Sequence, residues 1–574
     1  MSGYGAQRWL TRLLSLSCVL LTLPLSALAE PAQAVRPLEA SLLAEAKRLT
    51  LSRSRLWWRL LHYRPNEHGL PASQIDGKAF FLAPNGARDP QAELAATVHG
   101  FLEPARPGHE DEHARCRFPA RFRLLDQWLH FAATLPPIAC PALTRFVRDL
   151  DPESVSVVYA ANYLNNPASA FGHTFLRLKK RRAPGVMTPD EALDHSVEYA
   201  ANTDTDNPLL YGFKGLTGLF PGVFRFHSFA SKAHEYGNAE ARDLWEYELR
   251  LTDSEVQLLT LHLWELSVTH MDYYYMTKNC SYHVLATLEA AAPRIDLVDH
   301  LNFVVLPKDT IKAIVAQPGL VRATRYRPSL RSQRRAGVDL APVPYDKAPE
   351  RGAGSMRITI GTGITSQYGS SFATLGYRLA LHDFSDPPEG EPELSQVQFL
   401  DTRLRYDFGE QSFTLDRLTF AELVALNPLT RDEHALSWRA RAFGMRLHDR
   451  ACRDCFAHGF DLGFGATVAS RDEHLALFLM ADAYTAFSGS LDGIGGSFVR
   501  VGLGPYAGVR ARLPGRFIGL ATVNWAYLPA QNLHSTFDVR ATLSSELGKD
   551  VAIGLEGAWQ PSSVEAQLAS YLYF

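Results

Sequence analysis

At 574 residues the chain is too long for one ordinary hydrophobic core, so two or three domains are expected. With 46% hydrophobic and 21% charged residues it has the composition of a folded protein, and a formal net charge of −3 offers no basic excess for a nucleic-acid partner. Beyond the N-terminus no run of ~18 or more apolar residues occurs, which argues against a transmembrane helix and leaves a closed barrel as the way to span a bilayer.

Arg8 and Arg12 precede an apolar run from Leu13 to Leu25, and Ala27-Leu28-Ala29 stands before Glu30. A positive end, a short apolar middle and a small-x-small exit are the parts of a secretory signal peptide over residues 1–29. Cys18, mid-run behind Ser15-Leu16-Ser17, is a poor lipoprotein box. Export puts the other cysteines in an oxidising compartment: Cys116, Cys140, Cys280, Cys452 and Cys455, an odd number that leaves one thiol over. Cys116 and Cys140 are spaced to staple an early helical region. Cys452 and Cys455, in the turn-like stretch Asp449 to His458, can close a loop disulfide; zinc would need a second ligand pair nearby. Cys280 is the thiol without a partner.

Residues 30–150 read as a helical periplasmic region, with three-to-four spacing in Arg53–Tyr63 and Pro119–Phe131 and with Trp57 and Trp58 as packing residues. Residues 151–322 alternate strand and helix. A strand is expected over Ser154–Tyr163, a loop at Asn165–Ser169, and a β-type run over Phe171–Leu178 that carries His173 just after Gly172. A second strand follows at His195–Ala200, a helix from about Ser254 to Thr269, and a buried helix over Val284–Ala291.

Cys280 therefore stands near a helix N-terminus, where unpaired N–H groups and the helix dipole lower a thiol's pKa and can hold an oxyanion. A thiolate nucleophile needs a base, and the base an orienting partner. His173 fits the first role. Glu198 on the neighbouring strand fits the second, with His195 and Asn202 as rivals; Asn279 or Tyr163 could hold the oxyanion. A cysteine at a helix start is also commonly a small buried hydrophobe, and a histidine a satisfied core residue; spacing alone does not separate these readings.

Residues 323–354 form a Pro/Arg-rich junction with Arg325, Arg327, Arg331, Arg334, Arg335 and Pro342, Pro344, Pro349. A solvated linker is the simpler reading, with anionic lipid headgroups at a membrane rim as the other. From Ser355 to Phe574 the period becomes two. Ile358, Ile360 and Ile364, then Leu375, Tyr377 and Leu379, then Val499, Val501 and Leu503 alternate with Arg, Asp, Gly and Thr. Segments of about ten residues, arginines on the inner face and an aromatic end at Phe574 point to an outer-membrane β-barrel of about twelve antiparallel strands. An even count returns both barrel ends to one side, so the preceding domain belongs in the periplasm.

Three segments, NPASAFGHTFLRL (Asn166–Leu178), ARDLWEYELRLT (Ala241–Thr252) and YYYMTKNCSYHVLATLE (Tyr273–Glu289), resemble the Lnb N-terminal periplasmic domain family, named after a bacterial lipoprotein N-acyltransferase. The resemblance covers roughly residues 130 to 310. It implies an α+β, permuted papain-like fold, related to NlpC-type peptidases and lecithin–retinol acyltransferase, in which histidine on a strand precedes cysteine at a helix start. By match to the motifs, His173 and Cys280 take the base and nucleophile roles; Glu198 rests on the residues alone. The named acyltransferase continues into helical membrane segments where this chain continues into a barrel, so cysteine chemistry on an acyl group is implied more firmly than the same substrate.

The expected function is an outer-membrane-tethered cysteine acyltransferase or acyl hydrolase, with the bilayer and a lipid or lipoprotein as partners. The alternatives are an NlpC-type peptidoglycan amidase or endopeptidase and a non-enzymatic barrel with a scaffold or gating domain. The chain holds no G-x-x-x-x-G-K-[ST] and no H-E-x-x-H, and His227 and His234 have no partners at ligand spacing, so neither cofactor nor metal is expected.

Overall fold

The computed structural model describes residues 30–161, 164, 171–182, 191–336, 344, 347–367, 369–431, 434–449, 455–491, 498–528 and 534–574. The expected signal peptide, Tyr163 and Cys452 lie outside them.

Six helices open the described chain: α1 (Glu30–Arg48), α2 (Arg55–Leu60), α3 (Pro90–Leu102), α4 (Ala114–Arg117), α5 (Pro119–Leu129) and α6 (Pro141–Leu150). Proline stands at the start of α3, α5 and α6, where its missing N–H would have had no helical partner anyway. The helix expected over Arg53–Tyr63 is shorter than its pattern: His62 turns at φ +54°, and β1 (Tyr63–Pro65) pairs with β2 (Pro71–Ser73). Trp57 is fully buried and donates its indole N–H to Pro90 O at 3.1 Å, the packing role its position suggested. Cys116 and Cys140 form a disulfide that ties α4 to the start of α6.

The centre is a seven-stranded antiparallel sheet: β3 (Pro152–Ala160), β4 (His173–Lys180), β5 (His195–Ala201), β6 (Phe220–Ser228), β7 (Leu244–Leu249), β8 (Met271–Tyr273) and β9 (Val321–Arg327), in the order β8-β6-β5-β4-β3-β7-β9. Between and after these strands come α7 (Pro208–Thr217), α8 (Phe229–His234), α9 (Asp253–Leu266), α10 (Cys280–Ala291), α11 (Pro307–Ala316) and α12 (Leu330–Ala336). Val157, Leu176, Val197 and Tyr199 on one sheet face share a core with α9 and α10. On the other face Val158, Ala160 and Phe175 are covered by Phe229, Ala233 and Tyr236. Strand β9 runs into the stretch read as a linker. Arg325 pairs with Glu246 and Glu248, and Arg327 reaches Glu191, so these arginines are partners of carboxylates and not free solvated charges.

From Arg357 to Tyr573 the chain forms a closed antiparallel β-barrel. Thirteen segments are hydrogen-bonded in one ring; Ala380–His382 continues the course of Ser370–Arg378, both pairing with Ser395–Asp407, which leaves twelve strands. Closure is between the first strand, Arg357–Thr365, and the last, Ser563–Tyr573. Ile364, Phe460, Leu479, Leu503 and Leu568 face outward and exposed, a continuous apolar belt. Arginines and carboxylates face inward: Arg439 lies among Glu422, Asp461 and Asp482. Such a wall, apolar outside, charged inside and without a free edge, meets the demand of a bilayer that every backbone group be paired. Among the described residues no helix is long and apolar enough to cross a membrane.

The loop from Asp383 to Leu394 folds back into one mouth of the barrel as a plug. Arg357 and Arg378 hold Asp383 and Asp386, Arg510 donates to Phe384 O, and Ser544 donates to Ser385 O. The same mouth receives the domain. Leu164, Val304 and Leu306 pack on Ala380, Leu381, Val397 and Ala425, with Phe171 and Met276 beside them. Lys308 of α11 pairs with Glu391 of the plug, and Lys312 donates to Ala353 O at 2.6 Å.

Candidate active site

Cys280 is the first residue of α10, four residues ahead of the helix expected from the sequence. Asn279 caps it: Oδ1 accepts the N–H groups of Ser281 (3.1 Å) and Tyr282 (3.3 Å), while Nδ2 donates to Tyr275 O (3.0 Å) and Val305 O (2.6 Å). Every hydrogen-bonding position of that amide is engaged. In this arrangement Asn279 supports the helix start.

His173 is the first residue of β4. Gly172 before it has φ +87°, and a Cβ there would come within 2.8 Å of the Tyr159 ring, so the strand can enter at this point only through glycine. His173 Nε2 lies 3.3 Å from Glu198 Oε2, and the ring is electrostatically coupled to the Cys280 thiol. The three residues singled out from the sequence thus meet at one sheet end. The rivals of Glu198 do not: His195 pairs with Leu178 and Ser228 further along the sheet, and Asn202 accepts from Arg225 at 3.3 Å.

The electrostatics follow from burial and partners. Burial opposes charge on Cys280, which is 3% exposed, but the His173 charge and hydrogen bond, the Thr174 N–H and the Ser281 hydroxyl outweigh it and lower the thiol's pKa. Burial likewise opposes the imidazolium, and Cys280 and Glu198 together raise His173 above the ordinary histidine value. Glu198 is held well below the usual carboxylate range: burial works against it, and His173 and Lys232 prevail. The product is a thiolate–imidazolium–carboxylate line. Glu198 is also a hub, with His227 and Lys232 each 3.2 Å from Oε1 and the Tyr236 hydroxyl donating to Oε2 at 3.4 Å.

Sequence reasoning missed Tyr273. Its hydroxyl accepts the Cys280 N–H at 3.3 Å, and burial, then the charge of a Cys280 thiolate, raise its pKa. The only sequence signal was its place in the Tyr273-Tyr274-Tyr275 run, where three identical residues gave no reason to choose one. His227, Lys232 and Tyr236 were missed because no motif ties them to Glu198. Cys455, the first residue of a barrel strand, is disulfide-bonded. Among the described residues no group of three or more His, Cys, Asp or Glu could hold a metal ion.

Two cavities lie elsewhere: one of ≈ 180 Å³ in the charged lumen and one of ≈ 210 Å³ between domain and plug, which reaches Tyr159 and Leu164. Neither includes Cys280 or His173.

Residues 142–317 match the family described as the Lnb N-terminal periplasmic domain. Residues 49–128 and 346–574 match two families described as domains of unknown function, DUF7843 and DUF7840. A search of curated proteins finds no significant match. Among solved structures the chain is similar to the KdgM porin in complex with disordered oligogalacturonate, at 9% identity and TM-score 0.24, over 38% of this chain and 99% of the porin. It is also similar to the COG4313 outer membrane channel from Pseudomonas putida F1, at 13% identity and TM-score 0.25, over 41% of this chain and 100% of the channel. A third is the translocator domain of the autotransporter NalP from Neisseria meningitidis, at 13% identity and TM-score 0.21, over 38% of this chain and 88% of that domain. Residues 142–317, which match the Lnb N-terminal periplasmic domain, are thus joined to a closed twelve-stranded β-barrel of outer-membrane type, with the domain on the periplasmic side.

Proposed function

We propose that the protein is a thiol-dependent acyltransferase or acyl hydrolase that works on a lipid or lipoprotein from the periplasmic face of the outer membrane. The observation that carries this reading is the meeting of Cys280 at the start of α10 with His173 at the start of β4 and Glu198 behind it. Cys280 Sγ attacks an ester or amide carbonyl, and its proton resides on His173. The oxyanion is received by the Tyr273 hydroxyl, which already lies against the thiol. Collapse breaks the C–O or C–N bond, and His173 gives its proton to the leaving group. An amine or water then attacks the acyl-thioester, His173 takes the proton from it, and the thiolate leaves. Glu198 keeps the imidazolium charged and oriented and does not itself exchange protons.

Attachment to the barrel favours a membrane-borne donor over a wall-bound peptide, because it keeps the thiol beside the leaflet at high effective concentration. Incubating the inserted protein with phospholipid and with a diacylated lipopeptide, then measuring intact mass, tests the proposal. An acyl adduct on Cys280 that is absent in Cys280→Ser is expected; no adduct and no deacylated product with either donor would overturn it.

A further inference from the structure

Helix α7 carries an apolar ridge that faces away from the protein. Leu210, Phe213 and Leu216 recur on one side of the helix and are exposed, Phe213 at 59%, and Leu219 follows just beyond its end. The opposite side is anchored. Tyr275 N–H donates to Gly215 O at 2.9 Å, and a Cβ on Gly215 or Gly218 would collide with the rings of Tyr275 and Tyr274. The ridge is thus a fixed surface feature and not a loosely held helix.

Its position relative to the barrel identifies what it meets. The residue after Tyr275 is Met276, which packs in the cluster joining the domain to Leu381, Val397 and Ala425 on the barrel mouth. Val305 N–H donates to Met276 O at 2.8 Å, and two residues earlier Phe303 is 84% exposed beside Val304, a member of that cluster. On the barrel side of the seam, Leu429 and Leu436 are exposed next to Trp438. Ridge and Phe303 are thus each tied to the barrel seam, the ridge through Tyr275 and its neighbour Met276 and Phe303 through its neighbour Val304. Exposed apolar patches of this kind mark interaction sites, and short helices with an apolar face lie in the headgroup–acyl boundary.

We propose that α7 and Phe303 form a membrane-contacting ridge that inserts into the acyl-chain boundary of the periplasmic leaflet surrounding the barrel. The ridge brings lipid chains alongside Tyr273–Met276, the segment that leads into Cys280. This surface goes beyond the proposed chemistry and does not depend on it, since Cys280→Ser leaves the ridge intact.

The test is photo-crosslinking of the full chain in phosphatidylethanolamine/phosphatidylglycerol vesicles containing a lipid with a diazirine on its acyl chain, followed by peptide mapping. Wild type and Cys280→Ser should both give adducts on 208–219 and on Phe303 as well as on the barrel belt, with none at Leu49 of the outer helical layer. The double variant Leu210→Gln/Phe213→Gln should lose the adducts on 208–219 and keep those on the barrel, which also reports that it has folded and inserted. Adducts confined to barrel strands, or protein–protein crosslinks through 208–219 from a second copy, would overturn the proposal. Loss of acyl transfer with the crosslinks retained would count against the cysteine chemistry alone.

Discussion

Replacing Glu198 by Gln keeps the shape of the side chain and removes its charge. Two unit charges at the 3.3 Å between Glu198 Oε2 and His173 Nε2 attract by about 5 kcal/mol at an effective dielectric of ~20. Lys232 and His227 draw on the same carboxylate, so the share that reaches His173 is on the order of 2 kcal/mol. A difference of that size lowers the equilibrium constant for forming the thiolate–imidazolium pair roughly 30-fold. The direction is reinforced by Lys232, which keeps Glu235 and the Tyr236 ring as partners but loses the Glu198 charge, and presses His173 further toward its neutral form. The assay is iodoacetamide alkylation of Cys280 in the folded, inserted protein between about pH 5 and 9, followed by intact mass, with circular dichroism as the folding control. Because Glu198→Gln preserves the shape of the side chain, the ratio of its rate to that of the wild type reports the thiol's ionisation. With the thiol's pKa lowered to about 7, near pH 7 the wild type should label roughly 15-fold faster than Glu198→Gln, and His173→Ala should be slower still. Wild-type labelling in Glu198→Gln beside slow labelling in His173→Ala would refute the coupling. Wild-type labelling in both would refute activation altogether.

Tyr273→Phe keeps the ring packing and removes the hydroxyl. Acyl-adduct formation should slow by about 100-fold while alkylation changes far less, and equal losses in both would show a packing role only. Asn279→Ala should destabilise the domain by about 1–3 kcal/mol, because it strips the cap and leaves two carbonyls unpartnered; an unchanged urea midpoint would contradict this. The Cys116–Cys140 bridge spans a sequence separation of 24, so Cys116→Ser/Cys140→Ser should cost about 3 kcal/mol, read by guanidinium unfolding. Acid should also weaken the domain. Burial lowers His262 to about 3 and holds His62 and His283 well below the ordinary histidine value. With depressed folded values the unfolded chain takes up these protons first, so their contribution is complete above about pH 6.5 and falls as pH drops through it. Glu265, raised to about 7 by burial, offsets one of the three. His173, shifted upward, is protonated in both states below pH ~6.5 and offsets none. The net loss is at most roughly 2–3 kcal/mol per pH unit, and equal urea midpoints at pH ~7 and ~5.5 would refute it.

The barrel was legible because alternation over many strands is a repeated signal: Ile360, Leu375 and Leu503 face lipid as their period indicates, and Arg357, Arg378 and Arg510 face in. The Cys280–His173 meeting was legible through local motifs, and Glu198 because β5 lies next to β4. The plug was not. Asp383–Leu394 has the Pro, Gly and Glu content of any surface loop, and what draws it inward is arginines that converge from several strands of the closed barrel, Arg510 among them from more than a hundred residues away. Strand β9 hid in an arginine-rich stretch because its carboxylate partners on β7 lie some eighty residues away. Tyr273 and the α7 ridge share a cause: one buried ring among three tyrosines and one exposed face of a short helix are distinguished only by their neighbours in space.

The seam between domain and barrel has a consequence for biogenesis. Phe171 and Met276, which flank the motifs of His173 and Cys280, pack on residues from Ala380–His382, Ser395–Asp407 and Ser412–Ala425. That surface exists only after the barrel has closed. During transit across the periplasm the domain can fold its sheet, yet the margin of its thiol site is unfinished and wet. Completion of the surroundings of Cys280 is in this way coupled to closure of the barrel.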